Sequence, residues 1–229
     1  MSSEVLRRAP RTAAVLVLLY LATGCVTHGR PPVADRSPVF AEPGASYEVQ
    51  AGDTLYSIAW RFGRDFRALA AANGIRSPYT IYPGQRLRLD ARVRATKPQT
   101  VPPARAAPPR QAIGWRWPTQ AAVQRRFGQG NRGIDYQLRA GERVWSAGGG
   151  AVVYAGKGLG GFRFLVIVKH DDSFLSAYSV NVPLQVREGQ TIKAGTVLAD
   201  IEKTGRTVGA LHFEVRKDGE PVDPASVIR

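Results

Sequence analysis

The chain has 229 residues, a formal net charge of +14, 44% hydrophobic residues and a single cysteine, Cys25. That length suits one large domain or two small ones, and a lone cysteine excludes an intramolecular disulfide. The basic excess is spread along the chain without a dense cluster interleaved with aromatic residues, which argues against nucleic acid and suits a polyanionic wall or anionic lipid headgroups.

At the N-terminus, Arg7, Arg8 and Arg11 precede an apolar run from Ala13 to Ala22. The run is too short to cross a bilayer comfortably, since a spanning helix needs about 20 residues. It ends in Leu21-Ala22-Thr23-Gly24-Cys25. This resembles the lipobox of bacterial lipoproteins, in which the chain is cut before the cysteine and the thiol is lipidated. Gly24 fits the cut, whereas Ala22 stands where Leu is usual. The resemblance implies a signal peptide over residues 1–24 and lipidation of Cys25, with palmitate among the acyl groups. Val26 rather than Asp after the cysteine implies an outer-membrane anchor facing the periplasm. Each buried acyl CH₂ contributes about 0.8 kcal/mol to such an anchor. Pro31, Pro32, Pro38 and Pro43 mark residues 25–46 as a tether, and five prolines among Ala, Arg and Thr mark 90–113 as an extended spacer. Two compact modules remain, 47–89 and 114–229.

In the first module, Tyr47-Glu48-Val49 alternates like a strand. Asp53 or Thr54 is placed to cap a helix whose apolar face is Leu55, Ile58, Ala59 and Phe62, ending at Gly63. Phe66, Leu69 and Ala70 predict a second helix closing at Asn73-Gly74, and Ile81 to Leu89 predicts a return strand with a turn at Pro83-Gly84. The stretches Tyr47-x-Val49-x-x-Gly52-Asp53-Thr54-Leu55-x-x-Ile58-Ala59, Leu69-x-x-x-Asn73-Gly74-Ile75 and Ile81-x-Pro83-Gly84-Gln85-x-Leu87 resemble a LysM domain over the whole module. The resemblance implies a βααβ fold that binds N-acetylglucosamine-containing glycans such as peptidoglycan. Its groove would run between Gly52, Asp53, Thr54 and Leu55 on one side and Asn73, Gly74 and Ile75 on the other. Leu55 also reads as core, so loop backbone rather than side chains is the expected sugar contact.

The second module is punctuated by Gly148-Gly149-Gly150, Gly156-Lys157-Gly158, Gly160-Gly161 and Asp171-Asp172. Between and beyond these turns, short runs predict strands at Ala151–Tyr154, Phe164–Val168, Phe174–Tyr178, Thr196–Ile201 and Leu211–Val215, hence a mainly antiparallel β module. The chain therefore reads as multidomain, a small α+β module joined to a β module. Trp117-Pro118, Gly133-Ile134-Asp135-Tyr136, Tyr178, Val186-x-x-Gly189-Gln190 and Leu211-His212-Phe213-Glu214-Val215-Arg216 resemble the LytM/lysostaphin-type zinc peptidases. In active members of that family zinc is held by the His and Asp of H-x-x-x-D and by the second His of H-x-H. On this chain those positions carry Asn131, Asp135 and His212. Two further histidines around the metal-bound water correspond to Val180 and Ala210. Asn is a poor zinc ligand, and neither Val nor Ala can transfer a proton, so the resemblance implies no metal, no cofactor and no peptidase activity. Strand alternation puts Ala210, His212 and Glu214 on one face. Asp135 and His212 are expected to pair with each other or with Asn131, and His170 to be structural or on the surface.

The order of lipobox, LysM and LytM-type modules resembles the murein hydrolase activator lipoproteins. That implies a non-catalytic protein that grips peptidoglycan and activates a periplasmic N-acetylmuramoyl-L-alanine amidase during septal wall splitting and daughter cell separation. The partner-binding groove would be lined by Asn131, Asp135, Tyr178, Val180, Ala210 and His212, with Arg132 and Arg206 at its rim. Two alternatives stay open: a peptidoglycan metalloendopeptidase with an atypical metal site, and a scaffold that only grips the wall.

Overall fold

The computed structural model describes residues 46–89, 113–158, 162–201 and 209–229. The expected signal peptide, Cys25, Arg206 and all but one residue of each proline-rich stretch lie outside them. No described helix is long and apolar enough to cross a membrane.

In the first module β1 (Ser46–Glu48) pairs antiparallel with β2 (Arg86–Arg88), and α1 (Leu55–Arg61) and α2 (Phe66–Ala72) lie between them in sequence. Thr54 caps α1 by accepting from the Ser57 amide, while the Ser57 hydroxyl accepts from the Thr54 amide, a reciprocal capping box. Asp53 does not cap the helix. Its carboxylate instead accepts from the Tyr47 hydroxyl at 2.7 Å and the Gln50 amide at 3.0 Å, closing the turn after β1. Asp65 caps α2 through the Ala68 amide. Leu55, Ile58, Leu69 and Leu87 are buried at its centre.

The second module is an antiparallel eight-stranded sheet. Its order is β3 (Ala122–Arg125), β4 (Ile134–Leu138), β11 (Gly209–Lys217), β8 (Phe174–Val180), β7 (Phe164–Lys169), β6 (Gly150–Lys157) and β9 (Thr191–Ile192), and β12 (Glu220–Val222) pairs with β11. A separate pair, β5 (Arg143–Trp145) with β10 (Val197–Asp200), supplies Val144 and Leu198 to the core on one face of the large sheet. A short α3 (Pro224–Val227) is capped by Asp223. The five strand runs predicted from the sequence all occur. The structure adds β3, β5, β9 and β12, which are short, and β4, whose Ile134, Tyr136 and Leu138 alternate strictly with Asp135 and Gln137.

The two faces of this sheet are buried differently. Tyr136, Val166, Val168, Tyr178, Leu211 and Phe213 point into the module's own core. Tyr154, Leu165, Ile167, Leu175 and Ala177 point the other way and join one apolar cluster with Leu55, Ile58, Trp60 and Phe66 of the first module. All described residues fall within one compact unit. The first module thus covers the second sheet face, with α1 against β6.

Gly133 sits where β4 enters beneath β11. A Cβ there would run into the Phe213 carbonyl and crowd the Glu214 side chain. Gly133→Ala is expected to lower stability by roughly 1–3 kcal/mol through overpacking, read as a lower midpoint in thermal unfolding with the same far-ultraviolet dichroism.

Candidate functional site

Three neighbouring strands bring the site together. His212 on β11 lies directly opposite Asp135 on β4, which in turn lies opposite Arg125 on β3. Residues directly opposite across antiparallel strands share a face. Glu214 and Arg216 follow His212 on the same face by alternation.

The side chains form a line of alternating charge. Arg125 Nε donates to Asp135 Oδ2 at 2.8 Å, and His212 Nδ1 donates to Asp135 Oδ1 at 2.5 Å. His212 Nε2 donates to Glu214 Oε1 at 3.1 Å, and Arg216 Nε donates to Glu214 Oε2 at 3.0 Å. The Arg216 guanidinium then lies 5.5 Å from the centre of the Trp60 ring, an aromatic face supplied by α1. Phe162 covers His212 with ring centres 6.3 Å apart. Asn131 donates from Nδ2 to the Arg126 carbonyl at 3.1 Å and more weakly to Asp135 Oδ2 at 3.4 Å.

Protonation follows from this line. Burial works against a charge on His212, but its hydrogen bonds to Asp135 and Glu214 outweigh burial and raise its pKa from 6.5 to about 9. Burial likewise works against a charge on Asp135, yet hydrogen bonds from His212 and Arg125 hold its carboxyl below the usual range. Glu214 is buried too, and Arg216 and His212 lower it. At neutral pH His212 is therefore an imidazolium between two carboxylates, with both ring N–H groups donating.

A zinc ion needs a free imidazole lone pair and an available carboxylate oxygen. Here both ring nitrogens of His212 face carboxylates, and both oxygens of Asp135 are engaged, one by a guanidinium. Among the described residues no group of three His, Cys, Asp or Glu is arranged to hold a metal ion. The donor set does not fit zinc. The positive charge a metal would bring is supplied by Arg125, Arg216 and the proton on His212.

Of the six expected groove residues, the structure brings four to this face or its edge: Asn131, Asp135, Ala210 and His212. Tyr178 and Val180 are placed elsewhere. The register sets Val180 opposite Leu211 and Tyr178 opposite Phe213, so both point into the core, and it is Ser179 that shares the face of His212. Tyr178 is fully buried, and its hydroxyl accepts from the Ala147 amide at 2.7 Å. Arg132 is exposed. Arg125 escapes sequence reasoning because a register irregularity between Val123 and Arg125 decides its face.

His170 links the Gly149 carbonyl at 2.8 Å and the Ser176 hydroxyl at 2.7 Å, and Ser176 continues to the Tyr178 hydroxyl at 2.9 Å. A serine beside a neutral histidine has the spacing of a nucleophile and base. Ser176 is only 1% exposed, however, so no substrate reaches it. Burial lowers the His170 pKa to about 4, and the network is structural.

In the first module, Asp53, Thr54 and Leu55 are committed to the turn, the helix cap and the core. Asn73 donates to the Leu69 and Arg88 carbonyls and accepts from the Arg88 amide, which ties α2 to β2. The stretch facing Asp53–Tyr56 across the module is Pro78–Ile81 rather than Asn73, Gly74 and Ile75.

Comparison with known proteins agrees with this architecture. Residues 47–90 match the LysM domain and residues 129–224 match peptidase family M23. The "Lipoprotein NlpD/LppB homolog" of Pseudomonas aeruginosa is 41% identical, covering 85% of this chain and 79% of the relative. The "Uncharacterized lipoprotein YgeR" of Escherichia coli is 34% identical, covering 79% of this chain and 80% of the relative. The "Murein hydrolase activator NlpD" of Escherichia coli is 32% identical, covering 79% and 67%. A chain with a LysM module, an M23 fold whose ligand set does not suit zinc, and this degree of identity over most of its length belongs to the NlpD-like family of membrane-anchored cell-envelope lipoproteins with a peptidoglycan-related role.

Proposed function

We propose that the protein is a non-catalytic activator: lipid-anchored through Cys25 to the outer membrane and facing the periplasm, it grips peptidoglycan and switches on a periplasmic N-acetylmuramoyl-L-alanine amidase during septal wall splitting. The observation that carries this reading is the charge line at His212. By the family resemblance these residues stand where active members hold zinc, and an imidazolium flanked by guanidinium groups offers a metal no free imidazole lone pair. A sheet face that keeps its shape without its chemistry is suited to receive a segment of a partner.

The groove for the partner comprises Asn131, Asp135, Ala210 and His212. His212 and Asn131 are almost completely buried as the two modules sit. Phe162, whose ring lies beside His212, must therefore move before a partner reaches that side chain. Activation then becomes a population shift, and a partner drives it only as far as it binds the uncovered face better than the covered one.

The test is dye release from labelled sacculi with the protein, a cognate periplasmic amidase, or both, each with and without added zinc. Release only with both is expected, at a rate independent of zinc added to the activator. Release by the protein alone would instead support a metalloendopeptidase with an atypical metal site. Sacculus binding with no effect on the amidase would leave a scaffold.

A further inference from the structure

Where the two modules meet, they enclose a cleft of about 370 Å³. That lies within the size range of clefts that hold small ligands. One wall comes from the first module and includes Thr54, Tyr56, Thr80 and Ile81; the other comes from the second and includes Val153 and Glu188. The second wall is built by the chain's own register. The Gly189 amide donates to the Val152 carbonyl, and the Val152 amide donates to the Gln190 carbonyl, which locks the 187–190 turn onto β6.

We propose that this cleft is one glycan site with two walls, in which Val153 and the Glu188–Gly189 turn of the M23-type module complete the LysM groove around an N-acetylated glycan strand. The proposal rests on the reading of the first module as a glycan binder. Its chemistry suits a pyranose, whose faces are apolar and whose rim carries hydroxyl and amide groups. Tyr56, Ile81 and Val153 offer apolar and aromatic surface to the ring faces. Glu188 offers an acceptor. Its carboxylate makes no hydrogen bond or ion pair with the described residues, and the Tyr56 hydroxyl makes no hydrogen bond to them either. Partial burial raises the Glu188 pKa without a partner to offset it. A carboxylate turned towards a cleft with nothing to neutralise it is placed to accept from sugar hydroxyls or an acetamido N–H.

The test measures binding of an N-acetylglucosamine tetramer to the full chain carrying Cys25→Ser, by calorimetry and by hydrogen exchange. Two exposed wall positions are changed separately, Thr80→Arg in the first module and Glu188→Ala in the second, and thermal unfolding checks that each variant stays folded. Both variants are expected to weaken binding at least fivefold with little change in unfolding midpoint. The ligand is expected to slow exchange of amides in 152–153 and 189–190 as well as in 54–56. If only Thr80→Arg weakens binding and protection stays within the first module, the second wall is refuted while the glycan-binding reading stands. If the parent chain binds no tetramer, the glycan-binding reading falls and the two-walled site falls with it.

Discussion

Trp60→Ala is expected to uncouple the two modules. Trp60 is 2% exposed at the centre of the shared apolar cluster, and its ring also covers the Arg216 guanidinium. Truncating a buried Trp costs about 3–5 kcal/mol. The visible ion pair across the same interface is a poor rival: Arg67 reaches Asp218 at 2.9 Å, but the Asp218 side chain is 56% exposed. Such pairs contribute about 0–1 kcal/mol, so Arg67→Ala should change little. The contrast separates apolar burial from charge as the force that holds the modules together. In Trp60→Ala, amides of β11 and β12 should exchange faster, Arg216 should become accessible, and Tyr154, Leu165 and Ile167 should bind a hydrophobic dye. If the covered face is the one a partner needs, the variant should also activate an amidase at lower concentration than the parent chain. Unchanged exchange in β11 would show that the contact is not what covers the site.

The need for that cover is legible in the sequence. Phe164-Leu165-Val166-Ile167-Val168 is a continuous apolar run rather than an alternating one, and so is much of Phe174–Val180. Strands that read this way are buried on both faces. The core takes Val166 and Val168, and Leu165 and Ile167 then need a second partner, which the first module supplies. What the sequence does not show is which element does the covering, because that contact joins Leu165 and Ile167 to residues such as Leu55 and Ile58, more than a hundred positions away.

The site is legible to a similar depth. Period-2 alternation puts Ala210, His212 and Glu214 on one face, and the structure agrees. Tyr178 and Val180 mislead because family correspondence places Val180 at a former catalytic position, whereas the register with Leu211 turns it into the core. Arg125 is invisible for the opposite reason. It lies in Ala122–Arg125, a short edge strand without apolar alternation, and only a register irregularity brings its side chain over Asp135. The cap at Thr54 is easier, since it acts through Ser57 three residues away. Asp53 is the exception, because its carboxylate is taken by Tyr47, Gln50 and Arg61 rather than by an amide of the first helical turn.

His212→Ala is expected to be the most damaging single change on the sheet face. It removes the cation between two carboxylates and leaves a buried Glu214 that only Arg216 neutralises. Losing one partner of a buried ionic group costs about 3–5 kcal/mol. The pH dependence identifies the cause. A histidine whose pKa rises from 6.5 to about 9 on folding adds stability that is complete below pH 6.5 and is lost as pH climbs to 9. That contribution is on the order of 3 kcal/mol. His170 has the opposite sign. Its pKa falls to about 4 in the fold, so stability declines as pH drops from 6.5 to 4, and the lowered carboxyls of Asp135 and Glu214 carry the decline on below their ordinary values of 3.8 and 4.5. The parent chain should therefore be most stable near pH 6.5. Urea unfolding at pH 5, 6.5 and 9 should show His212→Ala losing most of the decline between 6.5 and 9. An alkaline limb unchanged by His212→Ala would mean that the imidazolium does not hold the two carboxylates, and the argument against a metal at this position would lose its electrostatic basis.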